Sequence, residues 1–218
     1  MVTIFFIIYF VFQSTLKMEE KYLNDISEIK NMMSKSSQFI SLSGFAGIIA
    51  GIYALIGAFV ANQLITNHEG SFIPLESKTF KLIVLTAFLV LLLSVVTATM
   101  LTFGKAKKEG EKVWNATSKR MIINFLIPLV TGGIFALLLL RNGNYGLISP
   151  VTLIFYGMSC VNASKYTFRD VRYLGISIII IGLFATNYIG YGLQFWALGF
   201  GVCHILYGSI MYFKYDRK

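Results

Sequence analysis

"SLSGFAGIIAGIYALIGAFVAN", residues 41–62, runs for 22 positions without a charged side chain. At about 1.5 Å of helical rise per residue, that length crosses the roughly 30 Å of hydrocarbon in a bilayer. Ala46, Ala50, Ala54 and Ala58 recur at every fourth position, beside Gly47 and Gly51. On a helix such residues line one face as a flat ridge, against which a second backbone can close. The stretch therefore reads as a membrane-spanning helix with a small-residue packing face.

Five more uncharged runs follow, at 82–103, 121–140, 145–164, 173–194 (interrupted near 187–190) and 195–213. Of the 218 residues 56% are hydrophobic and 13% charged, where a water-soluble domain carries about a quarter charged. The mean hydropathy is +0.70. A membrane barrel would need alternating segments of about ten residues, and none is visible. The expected fold is all-α: a polytopic bundle of six transmembrane helices in three hairpins, preceded by a cytoplasmic amphipathic helix.

The net charge of +9 is distributed by topology. With the segment before the first span placed inside, only Lys78, Lys81 and Arg141 of the nineteen Lys and Arg fall outside, leaving sixteen inside. That asymmetry predicts an N-in/C-in protein of a bacterial inner membrane. It also removes nucleic acid as the reason for the basic charge. The sequons Asn115-Ala-Thr and Asn162-Ala-Ser then lie at the inside face.

Residues 1–17 open with "MVTIFFIIYFVFQSTL", too short for an ordinary span and without a basic n-region. Two readings stand: a start assigned too far upstream of Met18, or an extra short helix or membrane-dipping segment. Residues 18–38 place Met18, Tyr22, Ile26, Ile29 and Met33 on one helical face. Glu19, Glu20, Asp25 and Glu28 balance its lysines, so this helix is expected to meet protein rather than anionic lipid. The transmembrane domain is 39–213 and the tail 214–218. Apart from the bilayer, the expected partners are a second copy or a cytoplasmic protein, through 18–38 and 104–120.

Three spans share a tetrapeptide: Gly51-Ile-Tyr-Ala54, Gly133-Ile-Phe-Ala136 and Gly182-Leu-Phe-Ala185. Spans four and six share "LIFYG" (153–157) and "HILYG" (204–208). These helix pairs resemble the HdeD-like three-hairpin family of small bacterial membrane proteins, and more broadly other six-helix inner-membrane proteins. The resemblance implies a stress-related role and carries over no catalytic residue. The expected packing positions are Ala46, Gly47, Ala50, Gly51, Ala54, Gly133, Gly182, Gly201 and Gly208.

No Asp or Glu falls inside any of the six runs, which weighs against an ion-coupled transporter. His204, Cys160 and Cys203 do not form a metal-ligand set, and no cofactor is expected. His204 sits near mid-span between Gly201 and Gly208, so it is expected to face another helix, with Tyr156, Ser159, Asn162 or Gln194 as partner. Two other readings remain. One is a facilitator or channel with a polar path near His204. The other follows from a likeness to rhomboid-type proteases, whose serine and histidine lie on the fourth and sixth helices. Gly157-Met-Ser159-Cys160 stands where that family has G-x-S-G, which would make Ser159 and His204 catalytic. Cys160 replaces the second glycine. The leading expectation is a non-enzymatic membrane protein acting through packing and partner contacts.

Overall fold

The computed structural model describes residues 38–68, 73–110 and 112–217, together with Met18, Tyr22, Asp25 and Ile26. The chain divides into two units, Met1–Gln38 and Phe39–Lys218. In the first unit Met18, Tyr22, Asp25 and Ile26 are helical and exposed, while Gln38 lies in a bend. The rest of the expected amphipathic helix at 18–38, and the segment 1–17, lie outside the described residues.

The second unit consists of six helices, each long and apolar enough to cross a membrane. They are α1 (Gly44–Thr66), α2 (Lys78–Lys108), α3 (Ala116–Arg141), α4 (Ile148–Ala163, entered through a 3-10 turn at Tyr145–Leu147), α5 (Asp170–Asn187) and α6 (Gly192–Asp216). The described residues contain no strand. The protein is a multi-pass helical membrane protein.

Helix ends follow local chemistry. The Ser77 hydroxyl accepts the Phe80 N–H at 3.1 Å and starts α2. Lys105, Lys107 and Lys108 close that helix, where its dipole favours cations. At α3, Asn115 Oδ1 accepts the Ser118 N–H at 2.8 Å while the Ser118 hydroxyl accepts the Asn115 N–H at 2.9 Å. The sequon asparagine is thus a helix cap. The interruption that the sequence shows near 187–190 is where the chain turns: α5 ends at Asn187 and α6 begins at Gly192, so residues 192–194 belong to α6 rather than to the preceding run. Gly190, at φ +110°, supplies the backbone conformation that reverses the chain.

α1 packs on α2, α3 on α4 and α5 on α6, but the closest crossings join different hairpins. α1 lies along α6, and α4 lies along α5. In the first crossing a Cβ on Gly51 would stand 2.7 Å from the Gly201 carbonyl oxygen, and one on Gly208 2.6 Å from the Ile48 nitrogen. In the second, Gly157 and Gly175 face each other so closely that a Cβ on either would lie 2.6 Å from the other's carbonyl oxygen. Gly182 admits Ile154 to the same seam. Dispersion between backbones in contact replaces the hydrophobic drive that lipid cannot supply. Ala46 and Ala54 are buried in the α1 ridge, and Ala50 is half-buried. Gly133 departs from its expected packing role: its position is exposed with open space where a Cβ would go. Its neighbour Gly132 takes that role, directly beneath Phe155 of α4. The two residues differ by about 100° around the helix, enough to exchange lipid for protein.

The Lys/Arg-rich end is tied by polar contacts. A non-helical strap at 39–43 leads into α1. Its Phe39 N–H donates to the Tyr166 carbonyl at 2.7 Å, and the Thr167 hydroxyl donates to the Phe39 carbonyl at 2.8 Å. Asp216, in the last turn of α6, accepts the Gly44 N–H at 2.9 Å and the Ser43 hydroxyl at 3.3 Å, capping α1 from outside it. Its other oxygen meets Lys105 Nζ of α2 at 2.7 Å, and that ammonium also donates to the Leu42 carbonyl at 3.2 Å. On α5, Asp170 accepts the Tyr215 hydroxyl at 2.7 Å and Lys214 at 3.1 Å. The Tyr215 ring stacks on Phe168.

Candidate functional site

Within the hydrocarbon-spanning region the fold buries the His204 imidazole, at 8% exposure. The turn before it, Ala197–Cys203, is π-helical, with the wider hydrogen-bond spacing that often marks a specialised position. Gly199, Gly201, Cys203 and His204 all turn inward there. Gly199 sits against Leu153 and Ile178, so α4 and α5 close over this part of α6.

Both ring nitrogens are engaged. Nδ1 lies 3.1 Å from the Gly199 carbonyl oxygen, an acceptor only, so Nδ1 carries the hydrogen. In the neutral ring Nε2 then accepts the Tyr156 hydroxyl of α4, at 2.7 Å. Aromatic contacts hold the pair. Phe200 stacks with the imidazole and touches the Tyr156 ring, and Phe125 of α3 meets Tyr156 edge-on. The arrangement joins α3, α4 and α6 around one polar contact. It recurs in outline elsewhere: Tyr207 of α6 meets Ser177 of α5 at 3.1 Å, and Tyr53 of α1 meets Thr97 of α2 at 3.5 Å. Within hydrocarbon an unpaired hydroxyl is costly, so these contacts also specify which faces meet.

Of the sequence candidates, Tyr156 alone is the partner of His204. Asn162 is half-buried and Gln194 is exposed, and neither hydrogen-bonds to the ring. Ser159 is fully buried, and its hydroxyl donates to the Phe155 carbonyl one turn back, at 2.9 Å. Ser159 and His204 therefore do not pair. A serine nucleophile needs a base within hydrogen-bond reach to take its proton, and this geometry supplies none to Ser159. The glycine of the G-x-S-like motif, Gly157, is used for the α4–α5 crossing instead. Among the described residues no three of His, Cys, Asp and Glu come together as metal ligands do.

Asp216 and Lys105 form an inter-helix pair that local sequence does not mark as one. Both sit at the edges of apolar runs, where charge reads as topology. The available signal was a lone acid in a basic tail, "KYDRK", beside the end of the last span. No family model, curated protein or solved structure matches this chain.

If Tyr156 and His204 act as one contact, His204→Phe and Tyr156→Phe each lower unfolding stability by about 1–2 kcal/mol in mixed micelles. The double variant then loses clearly less than the sum, because the second change removes a group already without its partner. Strict additivity would mean that the two side chains act independently.

Proposed function

We propose that this chain is a non-enzymatic protein of a bacterial inner membrane, with both termini in the cytoplasm. Its bundle serves as a rigid platform for partner contacts, in the stress-related setting that the HdeD-like resemblance implies. The observation that carries this reading is the engagement of both His204 nitrogens, by Tyr156 and by Gly199 of its own helix. The most chemically capable side chain in the membrane interior is spent on holding helices together. The orientation rests on the charge asymmetry: sixteen cations on one side against three on the other.

Contacts with a second copy or a soluble protein would run through 18–38 and 104–120. In the first of these, Met18, Tyr22 and Ile26 follow at four-residue steps and are each more than half exposed. In the second, Trp114 is 65% exposed.

Two measurements test the reading. Alkaline phosphatase fused after Gly143 is expected to be active and a fusion at Lys218 inactive; the reverse pattern would invert the topology. In a deletion strain with a stress phenotype, His204→Phe and Ser159→Ala should both complement at unchanged protein level. Loss of complementation by either, with the protein still present, would point to chemistry at that side chain.

A further inference from the structure

We propose that the outer face of α3 is a binding site for one anionic phospholipid, with its headgroup at Lys119 and Arg120 and an acyl chain along Ile123–Thr131 of the same helix. A shallow, open groove of about 400 Å³ runs there, lined by Ile123, Leu126, Ile127, Val130 and Thr131. The groove is apolar throughout, because the Thr131 hydroxyl is spent on the Ile127 carbonyl at 2.8 Å. The opposite face of α3 is committed to protein: Pro128 and Gly132 are buried, with Phe155 of α4 against Gly132. The groove therefore faces outward within the hydrocarbon-spanning part of the helix.

Charge complementarity decides what fills it. At about 100° per residue, the groove residues centre on one line along α3, and Lys119 and Arg120 fall about 50° to either side of it. The two cations thus straddle the groove, with Arg120 one turn before its first residue, Ile123. Both are exposed, and neither meets a carboxylate among the described residues. The Lys119 ammonium is held over the exposed Trp114 ring, 5.5 Å from its centroid, at the level where indoles favour the membrane interface. Arg141, at the far end of the helix, lies about 31 Å along the axis from Arg120, the thickness of the hydrocarbon core. This sets Lys119 and Arg120 at the headgroup level and the groove in the adjoining leaflet. A phosphate bearing net negative charge bridges the two cations while its chain lies in the groove. A zwitterionic lipid offers the same chain but a weaker electrostatic match.

The test uses the full chain in detergent with equal doped phosphatidylglycerol and phosphatidylcholine, and reads retained lipid by native mass spectrometry. Wild type should retain phosphatidylglycerol in preference. Selectivity should fall about fivefold in Arg120→Gln and about thirtyfold in Lys119→Gln/Arg120→Gln. Ile127→Trp, which fills the groove, should reduce retention of both lipids. Arg169→Gln/Arg172→Gln removes equal charge from exposed positions on the same end and should leave the preference intact. All these side chains are exposed, so melting temperatures should hold and retention is readable. Equal retention of the two lipids by wild type would overturn the proposal. So would an equal loss in the Arg169/Arg172 variant, which means a diffuse basic field. Disulfide-linked dimers of Ile127→Cys that exclude lipid would assign the groove to a second copy.

Discussion

Gly157→Ala is expected to destabilise the bundle by about 1–3 kcal/mol, although alanine is the better helix former. The added methyl would stand 2.6 Å from the Gly175 carbonyl oxygen and 3.0 Å from the Ile179 backbone nitrogen. Backbone atoms cannot turn aside as a flexible side chain can, so α4 and α5 must move apart. Their separation forfeits dispersion along the whole seam, which also holds Gly182 against Ile154. Gly175→Ala should cost a similar amount for the reciprocal reason, and Gly157→Leu should prevent assembly of the seam. Gly133→Ala is the control: with open space around the position, it should be neutral or stabilising by up to about 1 kcal/mol. Thermal unfolding in detergent measures all four. A neutral Gly157→Ala would mean that the α4–α5 crossing is looser than described here.

Replacing Asp216 with alanine is expected to cost about 3 kcal/mol, although it is the third-last of the 218 residues. The side chains of Asp216 and Lys105 are only 10% and 13% exposed. Removing the carboxylate leaves a nearly buried ammonium with the Leu42 carbonyl, the Glu109 carboxylate at 3.9 Å and the Phe168 ring, and strips α1 of its cap. The loss falls at the low end for broken buried pairs because that carbonyl and Glu109 remain. Lys105→Met in the same background should recover part of the loss, since an apolar side chain needs no counter-ion. Asp216→Asn keeps an acceptor for the Gly44 N–H and should cost less than alanine. Raising salt should change wild-type stability little, because the pair is shielded from solvent. Equal stability of Asp216→Ala and wild type would remove the inter-helix cap from this account. By contrast, Lys214 beside Asp170 is 54% exposed, and its replacement should matter little.

Hydropathy identified all six spans, because each must satisfy its own backbone in hydrocarbon and fill its surface with apolar side chains. The ends were less legible. Charges and caps mark α2 and α3 clearly; between α5 and α6 the break shows in the sequence near 187–190, but the first residues of α6, 192–194, read as part of the preceding run. The small-residue ridge of α1 could be read from its spacing, because the partner it needs is only another backbone. The α3 glycines could not be separated in the same way. Gly132 and Gly133 have the same chemistry, and only the position of Phe155 distinguishes them.

The central polar contact divides similarly. His204, between Gly201 and Gly208, could be placed on a packing face from its own helix. That Tyr156 rather than Ser159, Asn162 or Gln194 meets it depends on how α4 is rotated, which no local pattern encodes. Membrane insertion and the helical class follow from composition and run length, which are local and additive. The pairing of α1 with α6, the cap that Asp216 provides across 172 residues of chain, and the closure of the His204 ring by Tyr156 are decided by the tertiary structure. Each depends on the approach of two surfaces distant in sequence, and in lipid that approach is selected by shape and by paired polar groups rather than by hydrophobicity.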